Sequence, residues 1–576
     1  MKLRYKILSI AVALIGLCSC NDFLEKVPDT RVYLVNLDQL EQLLVTGYTL
    51  NNYAAIGELS SDNMIDNNSP DDQGNRFHLT SYHQYDEQLF AWEDVDLDIS
   101  DSDTPSGVWS GCYAAIATAN AVLEKIEEFE EAGEIEGEPI SARDRNRMNA
   151  IIGEAHMIRA YHHYILAQIF CMPYRGPEIS KTLPGIPYAT KPETTLNPKY
   201  DRGTLQETYD KIEEDLQIGL QYISEDFYEV PKYHFNVASS NAFAARFYTV
   251  KREYDKVVKY CNAAFKGNDP ATMRNDCWDQ TDFYYYSDIS RYYSSVERPG
   301  NFMMIGTYST WDRRFYGYRF SCNRDGARGS IMGPGPSWET CRYSVRTGKE
   351  QMSFAMMPCF SSFLASTGFE YGAFFSGTCF EQFEYTDKVA GIGYVHMVRP
   401  EFTSQETLLL RAEANIFLGN IDEAYADLAM WCDEHLMTDA SQNYNMTPLT
   451  QQQVVNFYSK DPGFGIKKDF HIDEVCPSDK YHVTPEILPY LHCVQHFRRI
   501  QMVHLGNRWF DIKRYGFEIT HKMGISDVLH LEVLDPRYAI QIPSEVIGAG
   551  LEPNPRQTVK AESSLVIKKD AFVREN

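Results

Sequence analysis

The stretch 245–260, ARFYTVKREYDKVVKY, has a counterpart at 412–427, AEANIFLGNIDEAYAD, and the pair decides the fold. Ala245-Arg246-Phe247-Tyr248, Glu253-Tyr254-Asp255-Lys256 and Tyr260 parallel Ala412-Glu413-Ala414-Asn415, Asn420-Ile421-Asp422-Glu423 and Ala426-Asp427. Each copy sets small residues on a first helix, then a short polar turn, then a second helix with an acidic start. Small residues let two antiparallel helices approach closely, so each copy reads as a packed helix pair. Outward from these, Val108–Phe129 places Trp109, Tyr113, Ile116, Ala117, Asn120 and Leu123 on one face at i, i+3, i+4 spacing. Arg145–Phe170 answers it with Ala155, Ile158, Tyr161, Ile165 and Ile169. Thr204–Ile223, Val237–Phe265, Gln405–Leu436, Pro485–Leu505 and Arg508–Tyr515 continue the helical pattern.

The copies are scattered and not tandem. A mainly α fold is expected, built on about four tetratricopeptide-like helix pairs carrying long irregular insertions. Two stretches lack helical period: Ile56–Gly107, rich in Asp, Asn, Ser and Tyr, and Gly267–Glu401, rich in Gly, Tyr, Phe, Arg and Ser. Loops of this length are usually functional or disordered, and their aromatic content argues against disorder. The chain divides into a signal segment 1–19, an N-terminal helical region 20–266, an aromatic-rich loop insertion 267–401 and a C-terminal region 402–576.

Met1–Cys20 begins with Lys2, Arg4 and Lys6 and continues with the apolar run Ile7–Leu17, the length of a signal-peptide core. A bilayer span needs roughly 20 apolar residues, and no later stretch offers one. Leu17-Cys18-Ser19-Cys20 looks like a bacterial lipobox, which would make Cys20 the lipidated first residue of the mature chain. Acyl chains contribute about 0.8 kcal/mol per buried CH2, so three form a lasting anchor. The alternative is an ordinary secretory signal with an incidental cysteine.

The formal net charge is −26, and loss of the three basic signal residues takes it to −29. Such a chain repels nucleic acid and anionic headgroups, which excludes both as partners. Of thirteen cysteines, eleven remain once Cys18 is cleaved away and Cys20 acylated, and no CxxC occurs. Most read as small buried apolar residues, with a pair or two among Cys322, Cys341, Cys359 and Cys379 open in an oxidising compartment.

The helical blocks also carry a family pattern. Cys20-Asn21-Asp22-Phe23-Leu24-Glu25, Trp109…Tyr113…Ile116…Ala119-Asn120, Gly153-Glu154-Ala155…Arg159-Ala160-Tyr161 and Leu410-Arg411-Ala412-Glu413-Ala414 resemble blocks of the SusD/RagB family. The most specific block is Arg498-Arg499…Gly506-Asn507-Arg508-Trp509-Phe510-Asp511-Ile512-Lys513-Arg514-Tyr515-Gly516, followed by Ile542-Pro543-Ser544-Glu545-Val546 and Asn554-Pro555. Departures are Phe497, Gln501 and Leu505, where the family usually carries carboxylates, and a shortened tail at Arg556. The resemblance implies a single SusD-like body: a surface lipoprotein of a Bacteroidetes-type outer membrane, non-catalytic, with Asp22 and Glu25 resembling an export signal. It further implies capture of oligosaccharides (peptides in the RagB branch) and delivery to a SusC-like TonB-dependent transporter. A protein-only tetratricopeptide scaffold and a surface glycosidase are the other classes, and the scaffold predicts that Trp278 and Trp311 are buried or in an interface.

A sugar ring offers an apolar face and a fringe of hydroxyls, so its site needs exposed aromatic rings beside donors and acceptors. Trp109, Trp431 and Trp509 sit in helical blocks and read as core. Trp92, Trp278, Trp311 and Trp338 sit in the non-helical stretches, each followed by a carboxylate. With Tyr285 and Asp62 they are the candidate glycan-binding residues. Arg313, Arg314, Arg319 and Arg324 are interleaved and read as partners of carboxylates or hydroxyls, or as part of the transporter contact. No cofactor is expected, apart from an irregular Ca2+ site as one reading of Asp94, Asp96, Asp98, Asp101 and Asp103. Ile99 and Pro105 exclude an EF-hand there. His492 and His496 have metal-pair spacing but no evident third ligand, and are read as structural. No GxSxG elbow, Walker loop or dinucleotide fingerprint occurs.

Overall fold

The computed structural model describes residues 34–556 except 71–73, 75, 194–198, 268–269, 271–290, 316–317, 322–333, 339–342, 345–348, 351–380, 436–447 and 464. Cys20, Trp278, Tyr285, Arg324 and the four cysteines from Cys322 to Cys379 lie outside the described residues. The principal helices are α1 (Leu37–Val45), α2 (Ala54–Leu59), α3 (Pro105–Ala132), α4 (Ala142–Phe170), α5 (Leu205–Tyr222), α6 (Val237–Lys251), α7 (Tyr254–Ala264), α8 (Ser404–Leu418), α9 (Ile421–His435), α10 (Leu488–Gln501) and α11 (Asn507–Tyr515).

Their ends follow from side-chain chemistry. Thr104 caps α3 with Pro105 at the first position, and Gly133 ends it at φ +72°. Capping boxes Ser141/Asp144, Thr204/Glu207 and Asn236/Ser239 start α4, α5 and α6. The two matched stretches are helix hairpins: α6 turns into α7 at Arg252, φ +61°, and α8 into α9 at Gly419, φ +81°. Helices pack in sequence, α3 on α4, α4 on α5, α6 on α7 and α8 on α9, with α8 central against α6, α7 and α10. The expected mainly α organisation is therefore present. Charged side chains cross the helix seams. Arg159 of α4 grips Asp215 of α5 at 2.8 and 2.6 Å, and Arg411 of α8 grips Asp427 of α9 at 2.9 and 2.7 Å. The six described cysteines are free and buried, as small apolar residues should be.

The region read as a loop insertion contributes a sheet. Strands β1 (Asn301–Thr307), β2 (Glu381–Asp387) and β3 (Ile392–Thr403) pair antiparallel in the order β1-β3-β2. All of β1 except Gly306 is buried, so it lacks the alternation that marks a half-buried strand. No helix among the described residues is long and apolar enough to cross a membrane.

Segments from early and late in the chain meet where α2 abuts the Gly-Asn-Arg-Trp block. A Cβ on Gly57 would lie 2.1 Å from the Gly506 carbonyl oxygen, and Gly506 has φ +81°, so glycine is required on both sides. Beside them Glu58 is buried and accepts from Asn63 Nδ2 at 3.0 Å and Gly506 N at 3.1 Å. Burial pushes its carboxyl up to about 7, against the pull of those donors. From pH 4.5 to 7 the folded chain then holds this proton more tightly than the unfolded chain, and Glu58 loses its stabilising share as pH rises. Buried histidines such as His162 and His504, pushed down to about 4 and about 3, act in the opposite direction, so the test is a difference. Relative to Glu58→Gln, the wild type should lose stability across this window by at most about 1.4 kcal/mol per pH unit. Parallel denaturant-melt profiles for the two proteins between pH 4.5 and 7 would contradict it.

Candidate functional site

The two non-helical stretches are stitched together. Ile65–Asp66 pairs with Phe320–Ser321, and Arg319 N donates to Thr80 O at 2.9 Å. Arg319 grips Asp66 at 2.9 and 2.8 Å and reaches Glu87 at 2.8 Å. Arg314 is fully buried, paired with Asp86 at 3.1 Å and sandwiched among the rings of Tyr82, Tyr85 and Trp311. Both arginines satisfy carboxylates, as expected of them from the sequence.

This base presents a polar aromatic face. Tyr82 meets Tyr318 edge-on at 4.9 Å and His83 at 4.5 Å. Arg313 forms a fork on Glu381 of β2 at 2.6 and 2.7 Å, and its remaining Nη1 reaches the Tyr82 hydroxyl at 3.4 Å. Glu381, Phe383 and Tyr385 alternate onto one side of β2. Phe383 is 46% and Tyr385 52% exposed, their rings 4.8 Å apart. Burial and the nearby Arg314 push His83 below its usual range. Exposed rings beside a charge-compensated donor and acceptor pair suit a neutral polyhydroxyl ligand.

The residues chosen from the sequence are placed elsewhere. Trp92 is 3% exposed, donates Nε1–H to Ser60 O at 2.9 Å and stacks on His521 at 4.3 Å. Trp311 is 1% exposed and donates to His504 O at 3.2 Å. Trp338 is 4% exposed and packs on Phe497, with its ring so close to Gly335 that a Cβ there would lie 2.1 Å away. These three are corrected from open plates to core, because no ring face is left free to stack on. Burial of Trp311 is what the scaffold reading predicted for it. Asp62 is also corrected: it is the anchor of Arg508, at 2.7 and 2.9 Å, with Arg499 and Lys468 nearby. Burial would raise its carboxyl, but these cations hold it well below the usual range. Trp109, Trp431 and Trp509 are core, as expected.

Of the rings that the sequence singled out, Trp92, Trp311 and Trp338 are buried, while Tyr82, Tyr318, Phe383 and Tyr385 in the same two stretches reach the surface. Sequence reasoning favoured tryptophan for size, whereas size is what the core absorbs. The tyrosine hydroxyl, which tolerates water, is the better signal for a ring left partly exposed, as at Tyr82 and Tyr318. The acidic loop turns its carboxylates to separate protein donors: Asp96 to Gln88 at 2.6 Å, Asp101 to Tyr85 at 2.9 Å and Asp103 to Ser309 at 3.1 Å. Among the described residues no three His, Cys, Asp or Glu groups converge on a common point. His496 is buried against the Tyr458 hydroxyl at 2.9 Å, consistent with a structural role.

Residues 22–249 match a SusD-like protein-family model described as "Starch-binding associating with outer membrane". No curated protein sequence matches the chain. Among solved structures, a SusD superfamily protein from Bacteroides thetaiotaomicron is similar at TM-score 0.56 and 17% identity, covering 91% of this chain and 100% of that one. One from Bacteroides vulgatus is similar at TM-score 0.55 and 17% identity, covering 91% and 99%. A putative sugar binding protein from Bacteroides vulgatus is similar at TM-score 0.54 and 16% identity, covering 91% and 99%. Over nine tenths of its length the chain has the SusD-superfamily fold, and residues 22–249 carry the sequence pattern of the SusD-like family.

Proposed function

We propose that the protein is a non-catalytic outer-membrane lipoprotein, anchored through Cys20, that captures an oligosaccharide and passes it to a SusC-like TonB-dependent transporter. The observation that carries the reading is the face of Tyr82, Tyr318, Phe383 and Tyr385 around the Arg313–Glu381 pair. The starch-binding description of the matched family supports the ligand class. Stacked rings contribute about 1–3 kcal/mol each in comparable sites. Two or three of them correspond to affinities between roughly millimolar and micromolar. Arg313 is already neutralised by Glu381, so the ligand is a neutral glycan.

Calorimetry of the mature protein against an oligosaccharide panel tests this. Tyr82→Ala and Phe383→Ala are each expected to weaken the best ligand by about 10- to 100-fold. Stability should barely change for Phe383→Ala, whose ring is half exposed. Heat from no glycan, or affinity indifferent to both variants, would remove this face as the site. Release of shorter sugars from the bound ligand would reject the non-catalytic reading.

A further inference from the structure

A second concavity shares no residue with that face. It is an open cavity of about 780 Å3 between α1, the 227–234 loop and the β1 segment 304–306. Small-molecule sites commonly fall between about 300 and 1,000 Å3. Its floor is Glu154 of α4, whose carboxylate takes three hydrogen bonds: Tyr48 at 2.7 Å and His234 at 2.8 Å on Oε1, and Tyr228 at 2.9 Å on Oε2. The Tyr228 and His234 rings stack at 4.3 Å, 6° from parallel, giving the floor a rigid aromatic wall. Around the rim Val45, Leu50, Val230 and Tyr233 stand exposed to water. Asp38, Glu41 and Glu229 share the rim, and no Lys or Arg lines the cavity. Arg147 bridges Asp38 and Glu41 and offsets one of these two charges. Lys232 is turned away, donating to the Val296 and Arg298 carbonyls at 2.7 Å each.

We infer that this cavity binds an organic cation carried on an apolar body, its alkyl or aryl part against Val45, Leu50 and Val230 and its charge facing Glu229 and the tyrosine rings. An anion would meet carboxylates and no lysine or arginine among the lining residues. A neutral sugar would leave the apolar rim wet. A cation gains from both the carboxylates and the electron-rich faces of Tyr228 and Tyr233.

Tryptamine, its neutral isostere tryptophol and the anion indole-3-propionate, titrated into the full mature chain by calorimetry, separate these terms. Tryptamine should bind in the submillimolar range, tryptophol at least about tenfold more weakly, and the anion undetectably. Val45→Arg, at an exposed position of α1, should abolish tryptamine binding, and Glu229→Gln should weaken it about fivefold. Neither should alter oligosaccharide affinity, so failure here is distinguishable from failure of the glycan reading. Equal affinity for tryptamine and tryptophol, no tryptamine binding by about 10 mM, or binding indifferent to Val45→Arg would each overturn the inference. Should Val45→Arg misfold, the three-ligand series and Glu229→Gln decide it.

Discussion

Replacing Arg246 with alanine should destabilise the protein by about 3–5 kcal/mol, the cost of stranding buried charges. Arg246 is buried on α6 and joins three elements. Its Nε donates to Glu406 Oε1 at 3.0 Å and Nη2 to Glu406 Oε2 at 2.6 Å, on α8; Nη1 pairs with Glu401 and Nη2 also reaches the Glu401 carbonyl at 2.6 Å, on β3. Arg399 binds the other Glu401 oxygen at 2.6 Å. Burial alone would raise the Glu401 carboxyl, but Arg399 and Arg246 hold it below the usual range. Deleting Arg246 leaves Glu406 without its charge partner and Glu401 with one of two. Arg246→Lys should recover only part of the loss, because an ammonium cannot reproduce the planar fork. Urea unfolding of the three proteins measures this. A loss under about 1 kcal/mol for Arg246→Ala would mean the network is dispensable.

The second large effect is at Trp311. Trp311→Ala should cost about 3–5 kcal/mol, as for other buried aromatics truncated in a core. The indole sits 5.3 Å from the Arg314 guanidinium and bonds the backbone at His504. It thus ties the loop face to the turn before the Gly-Asn-Arg-Trp block. Folded Trp311→Ala, assayed well below its melting temperature, should bind oligosaccharide within a few-fold of wild type. Full stability with binding abolished would restore Trp311 as a stacking plate and reject its structural role.

Much of this architecture is legible before any coordinates. The paired stretches at 245–260 and 412–427 read correctly as helix hairpins because small residues, a short turn and an acidic start are local signals. The start at Thr204 is legible for the same reason, whereas α3 and α4 begin at Pro105 and Ala142, ahead of the Val108 and Arg145 that the periodicity gave. The strand Asn301–Thr307 was not legible, since it is covered on both sides and its composition alternates with nothing. The site lay halfway between. Aromatic content singled out both stretches that line the candidate face, but exposure of a given ring depends on what packs above it.

The sequence by itself determined the helical scaffold, the interleaving of arginines with carboxylates and the two aromatic-rich stretches, because these rest on periodicity, capping and composition. Tertiary structure alone decided which rings face water. Trp92, Trp311 and Trp338 are claimed by His521, His504 and Phe497, groups far away in the chain. Phe383 and Tyr385 stay open on β2. The carboxylate of Asp62 likewise meets Arg508 only once early and late segments of the chain close on each other at Gly57 and Gly506. Burial is a property of the assembled fold, and a residue's size or neighbours in the sequence do not specify it.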